Sequence, residues 1–171
     1  MAQHPDVGVV YDAGAARPEL HAYSDSNWTV GHSTSGWAIL YAGAVIGYGS
    51  KRQQSIALSS TEAEIMAASQ AATEIMYFRG LLYEFGRELE PTILYVDNQG
   101  AVELSKDVKS CQRSRHIERR YLKVRELVAL GEIVVKHVPT EMNHSDVLTK
   151  PLDQATFNRH VAALIGGAAV P

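Results

Sequence analysis

Asp25, Glu64, Asp97 and Asp146 are the residues of this chain best placed to do chemistry. Asp25 and Asp97 close the strand-like runs Ala22-Tyr23-Ser24-Asp25 and Ile93-Leu94-Tyr95-Val96-Asp97. Glu64 falls in the first turns of a long helical stretch, and Asp146 opens a late one. Four carboxylates drawn into one place repel each other unless cations neutralise them. If the four converge, the chemistry they point to is magnesium-dependent cutting of phosphodiesters.

The elements that must position them are legible as periodicities. Leu20 to Asp25, Gly36 to Tyr41 and Ala44 to Ser50 read as three strands, the last two joined at Ala42-Gly43 as a tight hairpin. From Leu58 to about Phe85 the apolar residues Ile65, Ala68, Ala72, Ile75, Met76 and Leu82 recur at helical spacing, and Gly86 is a natural stop. Thr92 to Val96 is a fourth strand, followed by a short helical pattern through Ala101, Val102 and Leu104. A helix from about Arg115 to Leu130 ends at Gly131, and a fifth strand runs from Ile133 to Val138. A last helical region, Asn143 to Ile165, is broken at Pro151.

This order predicts an α/β fold with a mixed five-stranded sheet, three antiparallel strands and then two parallel ones, flanked by helices. In such sheets ligands gather where the carboxyl ends of neighbouring strands diverge. Asp25 and Asp97 meet there if the first and fourth strands pair in parallel. Residues 1–19 carry no sustained period and read as a leader or linker, 20–165 as the domain, and 166–171 as a flexible tail.

Composition narrows the class. A chain of 171 residues with 46% hydrophobic content suits one globular domain. No run reaches the roughly 18 apolar residues of a membrane helix, and the start lacks a signal-peptide pattern. The single cysteine, Cys111, rules out an intramolecular disulfide and fits a reducing, intracellular setting. The net charge of −3 hides an asymmetry. Between Lys106 and Arg125 eight basic residues stand against two acidic ones, so that segment is +6 and the remainder −9. A solvated helix face is the plain explanation, and a phosphate backbone is the functional one.

Each carboxylate has a structural explanation as well: a turn for Asp25, and a helix start for Asp97 and Asp146. At the long helix Glu62 and Glu64 compete. With about 100° per residue, the stripe of Thr61, Ile65, Ala68 and Ala72 leaves Glu64 about 65° to one side and Glu62 about 95° to the other. Ser59 and Glu62 have capping-box spacing, which occupies Glu62 structurally. Thr61 and Glu64 share that spacing, so spacing alone leaves the choice open.

The strings Ala57-Leu58-Ser59-Ser60-Thr61-Glu62-Ala63-Glu64, Tyr95-Val96-Asp97-Asn98-Gln99-Gly100-Ala101 and Val138-Pro139-Thr140-Glu141, with Ser145-Asp146-Val147-Leu148-Thr149-Lys150-Pro151, resemble the ribonuclease H domain of copia-type LTR retrotransposon polyproteins. So do Ser33-Thr34-Ser35-Gly36 and Arg113-Ser114-Arg115-His116-Ile117. The likeness covers about residues 20–165 in the family's order. It implies a ribonuclease H-like fold and hydrolysis of the RNA strand of an RNA–DNA hybrid, leaving 5′-phosphate and 3′-hydroxyl ends. The cofactor implied is a pair of Mg²⁺ ions, with Mn²⁺ a substitute. Asp25 would bridge the two ions, Glu64 and Asp97 would complete one site, and Asp146 the other. The superfamily's glutamate precedes an apolar-x-Ala pattern, which Glu64-Ile65-Met66-Ala67-Ala68 matches and Glu62 does not. A reverse transcriptase domain in the same polyprotein is the implied partner, in the cytoplasm or in virus-like particles.

Hybrid recognition rests on shape and 2′-hydroxyl contacts. Ser26, Glu64 and Asn98 are candidates for the RNA strand. Ser59, at a helix N-terminus, is a candidate for a DNA phosphate. Asn98, Gln99, Lys51, Arg52, Arg113, Arg115 and His116 are candidates for contacts further out. His137 and His144 are candidates for product release. Trp28 and Trp37 read as core residues rather than stacking platforms. Two departures stand out: Asn27 where the family often has aspartate, and Gly31-His32 where basic residues are common. The competing reading is a catalytically inactive ribonuclease H-like module that binds nucleic acid, which the four acidic positions disfavour.

Overall fold

Turn and cap chemistry sets out the elements of the chain, whose computed structural model describes residues 8–12, 14, 18–106 and 115–167. Strands β1 (His21–Asn27), β2 (Thr34–Tyr41) and β3 (Ala44–Arg52) form an antiparallel meander. Ala42 and Gly43, both at positive φ, make the two-residue turn between β2 and β3. Helix α1 (Ser60–Glu84) is capped by the Ser59 side chain and ends before Gly86, whose φ of 72° lets the chain reverse. Then follow β4 (Thr92–Val96), α2 (Gln99–Lys106), α3 (Arg115–Ala129) and β5 (Ile133–His137). Two 3-10 turns, Thr140–Met142 and His144–Leu148, lead to α4 (Gln154–Leu164).

The sheet order is β3-β2-β1-β4-β5, with β1–β4 and β4–β5 parallel. This is the expected mixed sheet. The strands β1, β2 and β3 extend past the expected bounds at the site end, to Asn27, from Thr34 and to Arg52. The expected late helical region separates into the 3-10 turn and α4, with Pro151 between them.

Each face of the sheet has its own cover. Ala22, Trp37, Ile39, Leu94, Val96, Ile133 and Val135 form the core with Ala68, Ala71, Ala72 and Ile75 of α1 and Val124 of α3. On the other face Ala38 and Leu40 pack with Leu164 of α4, with Tyr23, Val147 and Leu148 alongside. Tyr23 stacks on Tyr95 at 5.0 Å and meets His144 edge-on at 4.8 Å. Trp37 is in the core as expected. Trp28 is not: it lies beyond the end of β1, 45% exposed, with its indole N–H donating to the Ala57 carbonyl. Val10 and Asp12 donate backbone hydrogen bonds to Ile165 and Ala42, so this stretch lies against the domain. No helix among the described residues is long and apolar enough to cross a membrane.

Candidate metal centre

Parallel pairing of β1 and β4 places Ser24 opposite Val96, so the next residues, Asp25 and Asp97, emerge side by side at the carboxyl ends of adjacent strands. Asp146 reaches the same point from the turn His144–Leu148. Carboxylate oxygens of Asp25, Asp97 and Asp146 lie within 4.8 Å of one another. Glu64 enters from the first turns of α1 and accepts the Ser26 backbone N–H at 2.9 Å. Of the four residues expected to converge, Asp25, Asp97 and Asp146 form one cluster, and Glu64 lies beside it.

The turn carrying Asp146 is held by residues to which the sequence reading assigned no role. Asn143 is fully buried; its side-chain amide donates to the Ser24 carbonyl at 2.9 Å and its Oδ1 accepts from the Ser145 hydroxyl at 2.7 Å. The Thr149 hydroxyl donates to Asp25. Gly36, the β2 partner of Asp25, lets the turn sit directly on the sheet. A Cβ there would lie 2.6 Å from Thr149 Cγ2 and 2.9 Å from Leu148 Cβ. Lys150 forms an ion pair with Asp146 at 2.8 Å. Thr149 and Lys150 stand in a string already noted beside Asp146. Asn143 carried no signal beyond its nearness.

The helix caps near these carboxylates are filled by other residues. Helix α2 is capped by Asn98, whose Oδ1 accepts the Ala101 N–H at 3.0 Å, so Asp97 is spared that work. The 3-10 turn is capped by Asn143, which spares Asp146 in the same way. Glu62 accepts the Leu58 N–H at 2.8 Å while Ser59 accepts the Glu62 N–H, a capping box whose return bond reaches one residue before the cap. Glu62 therefore faces the helix end, and Glu64 is 5% exposed and faces the cluster.

Electrostatics follow from this crowding. Burial, then Asp25 and Asp97, push the Glu64 carboxyl up to about 9. Asp25 is raised by burial and by Asp146, with the Thr149 hydrogen bond opposing. Asp97 is raised by burial and by Asp25. Burial raises Asp146 too, against the pull of Lys150. Glu64 Oε2 and Asp146 Oδ1 are buried with no hydrogen-bond partner. Unpartnered oxygens in an all-carboxylate set are the donors that hard divalent cations such as Mg²⁺ and Mn²⁺ take, so the residues present fit such ions.

The remaining candidates divide. Ser26 lies beside Glu64, Asn98 follows Asp97, and Gln99 is exposed at the start of α2. Ser59 is exposed, its hydroxyl engaged as the α1 cap. Arg113 lies outside the described residues, as do the side chains of Arg115 and His116. Of the basic stripe, Lys123 donates to the Thr73 hydroxyl at 2.7 Å and so ties α3 to α1. His137 is exposed at the end of β5, beside Val96. His144 is held in place: its Nδ1 is 3.0 Å from Nδ1 of the fully buried His160, and burial, then His160, lower it to about 4. Asn27 reaches the Thr149 carbonyl at 3.4 Å.

No family model matches the chain. Over its full length it is 34% identical to the retrovirus-related Pol polyprotein from transposon RE2 of Arabidopsis thaliana. Over 84% of its length it is 32% identical to that from transposon TNT 1-94 of Nicotiana tabacum. The chain spans 12% and 11% of the lengths of these curated relatives. Among solved structures, LC11-RNase H1 in complex with RNA/DNA hybrid superposes with a TM-score of 0.61 at 16% identity, over 77% of this chain and 94% of that one. The sequence likeness and the shared fold agree: the chain is related to retrovirus-related Pol polyproteins from copia-type transposons, and its fold is the one seen in RNase H structures.

Proposed function

We propose that the chain is a metal-dependent endonuclease that hydrolyses the RNA strand of RNA–DNA hybrids, leaving 5′-phosphate and 3′-hydroxyl ends, during reverse transcription of an element. The observation that carries this reading is the convergence of Asp25, Asp97 and Asp146 within 4.8 Å beside the buried Glu64. Asp25 is an electrostatic neighbour of Asp146, Glu64 and Asp97 alike, as a bridging ligand has to be. A pair of Mg²⁺ ions, or Mn²⁺, would supply an activated water and stabilise the leaving oxygen.

The chain's own residues hold and orient. Asn143, Thr149 and Gly36 hold Asp146 against β1, and the Ser26 N–H fixes one Glu64 oxygen so that the other faces the cluster. Ser26 and Asn98 lie where backbone groups could meet an RNA 2′-hydroxyl, and Ser59 and Gln99 lie further out for phosphates. Of the two histidines, His137 is free to act in product release, because His144 is packed under α4. A solved relative in fold holds an RNA/DNA hybrid, and the sequence relatives are Pol polyproteins, which supports a hybrid substrate and a reverse transcriptase domain in the same polyprotein. The place of action would be the cytoplasm or a virus-like particle.

The test is cleavage of a labelled hybrid beside RNA duplex and DNA duplex, with Mg²⁺, Mn²⁺ or EDTA. Cleavage of the hybrid's RNA strand with metal alone is expected, and Asp97→Asn should lower it by roughly a hundredfold or more. Binding of the hybrid without any metal-dependent cut would replace this reading with that of an inactive binding module.

A further inference from the structure

The carboxylate cluster is not without a cation of its own. An ion pair lies at the site: Lys150 Nζ is 2.8 Å from Asp146 Oδ2. The partners are unequally placed. The Asp146 side chain is 5% exposed and that of Lys150 is 32% exposed, so the lysine reaches in from solvent along an open path. Its backbone cannot follow, because the Lys150 N–H donates to the Asp146 carbonyl and Pro151 comes next. The head of Lys150 can therefore leave while its Cα stays, and Asp146 cannot leave at all.

We propose that Lys150 is a built-in counter-cation that neutralises the carboxylates before metal arrives and withdraws from Asp146 when a divalent ion takes its place. This rests on the functional reading above. The ammonium covers Asp146 Oδ2 and leaves the buried Oδ1 without a partner, an oxygen that a bound ion can take. A divalent ion brings twice the charge and several coordination positions to Asp25, Asp97 and Asp146, whereas the ammonium pairs directly with Asp146 and reaches Asp25 and Asp97 only through its charge at longer range. Lys150 thereby limits repulsion in the metal-free state at the cost of competing for the site.

Two readouts independent of cleavage test this. Free Mn²⁺ is counted by electron paramagnetic resonance during titration of wild type and Lys150→Met. The variant should bind roughly threefold to tenfold more tightly, since a competing ion pair is gone, and should melt at a lower temperature in EDTA. Unchanged or weaker binding in a folded variant overturns the proposal. In case Lys150→Met does not fold without metal, lysine ammonium resonances are followed in the wild-type protein, with Mg²⁺ as titrant. The Lys150 signal should be slowly exchanging in EDTA and lose that protection at saturation; a signal that keeps its protection overturns the proposal. A wild-type protein that takes up no divalent ion would sink the functional reading as well. One that binds ions while Lys150 stays indifferent would sink the displacement alone.

Discussion

Glu64→Gln and Glu62→Ala, two residues apart on one helix, should move stability in opposite directions in EDTA. Glu64 is buried beside two other carboxylates, with one oxygen bonded to the Ser26 N–H and the other without a partner. Its folded value of about 9 lies far above the ordinary 4.5. The stability it contributes is thus fully present below about pH 4.5 and lost as pH rises toward 9. At about pH 7.5 the unfolded carboxyl is ionised and the folded one is not, and three pH units at about 1.4 kcal/mol each set a ceiling of about 4 kcal/mol. Protons shared with Asp25 and Asp97 spread that cost, so about 2 kcal/mol is the working figure for replacing Glu64 by its neutral isostere. The glutamine keeps the Ser26 bond and turns its amide toward the cluster. Glu64→Gln should therefore raise the melting temperature in EDTA by about 4–8 °C near pH 7.5. The gain should vanish near pH 4.5, and metal-dependent cleavage should be lost. Glu62→Ala removes the bond to Leu58 N–H and should cost about 1 kcal/mol, or about 2–4 °C, with cleavage retained. Calorimetry across pH, paired with the hybrid assay, reads both. A Glu64→Gln protein that melts lower than wild type in EDTA at pH 7.5, or an inactive Glu62→Ala, would refute the assignment.

Asn143→Ala strips partners from the buried Ser24 carbonyl and the Ser145 hydroxyl, so it should destabilise by about 3 kcal/mol in urea unfolding and weaken Mn²⁺ binding through Asp146. A loss under about 1 kcal/mol with unchanged Mn²⁺ affinity would mean that the turn is held some other way. His144 sits at about 4, below its ordinary 6.5, so its contribution is present above pH 6.5 and lost as pH falls through 4. The urea midpoint should drop across that window, less steeply in His144→Gln; equal slopes in the two proteins would show that the His144–His160 contact does not govern this limb.

Residues with local signals were legible in the sequence. Val96 and Asp97 announce a strand end, because a β-rich run ends abruptly at an Asp-Asn pair, and Gly86 and Gly131 stop their helices where helical periodicity stops. The capping box at Ser59 likewise pointed to Glu64 by occupying Glu62. Trp28 was misjudged because a large aromatic residue carries no local sign of lying past the end of the sheet.

By itself the sequence determined which residue types could bind metal, the order of strands and helices, and the kinship with copia-type Pol polyproteins. These depend on periodicity, caps and turns, which act over a few residues. The tertiary structure alone decided that Asp25 and Asp97 are neighbours, through the parallel register of β1 and β4, and that Asp146 joins them, through Asn143 and the bare Cα of Gly36. It also decided that Lys150 faces the cluster. Contacts between residues more than a hundred positions apart, such as Asn143 with Ser24, leave no periodic trace in a single chain, because close packing rather than local conformational preference creates them.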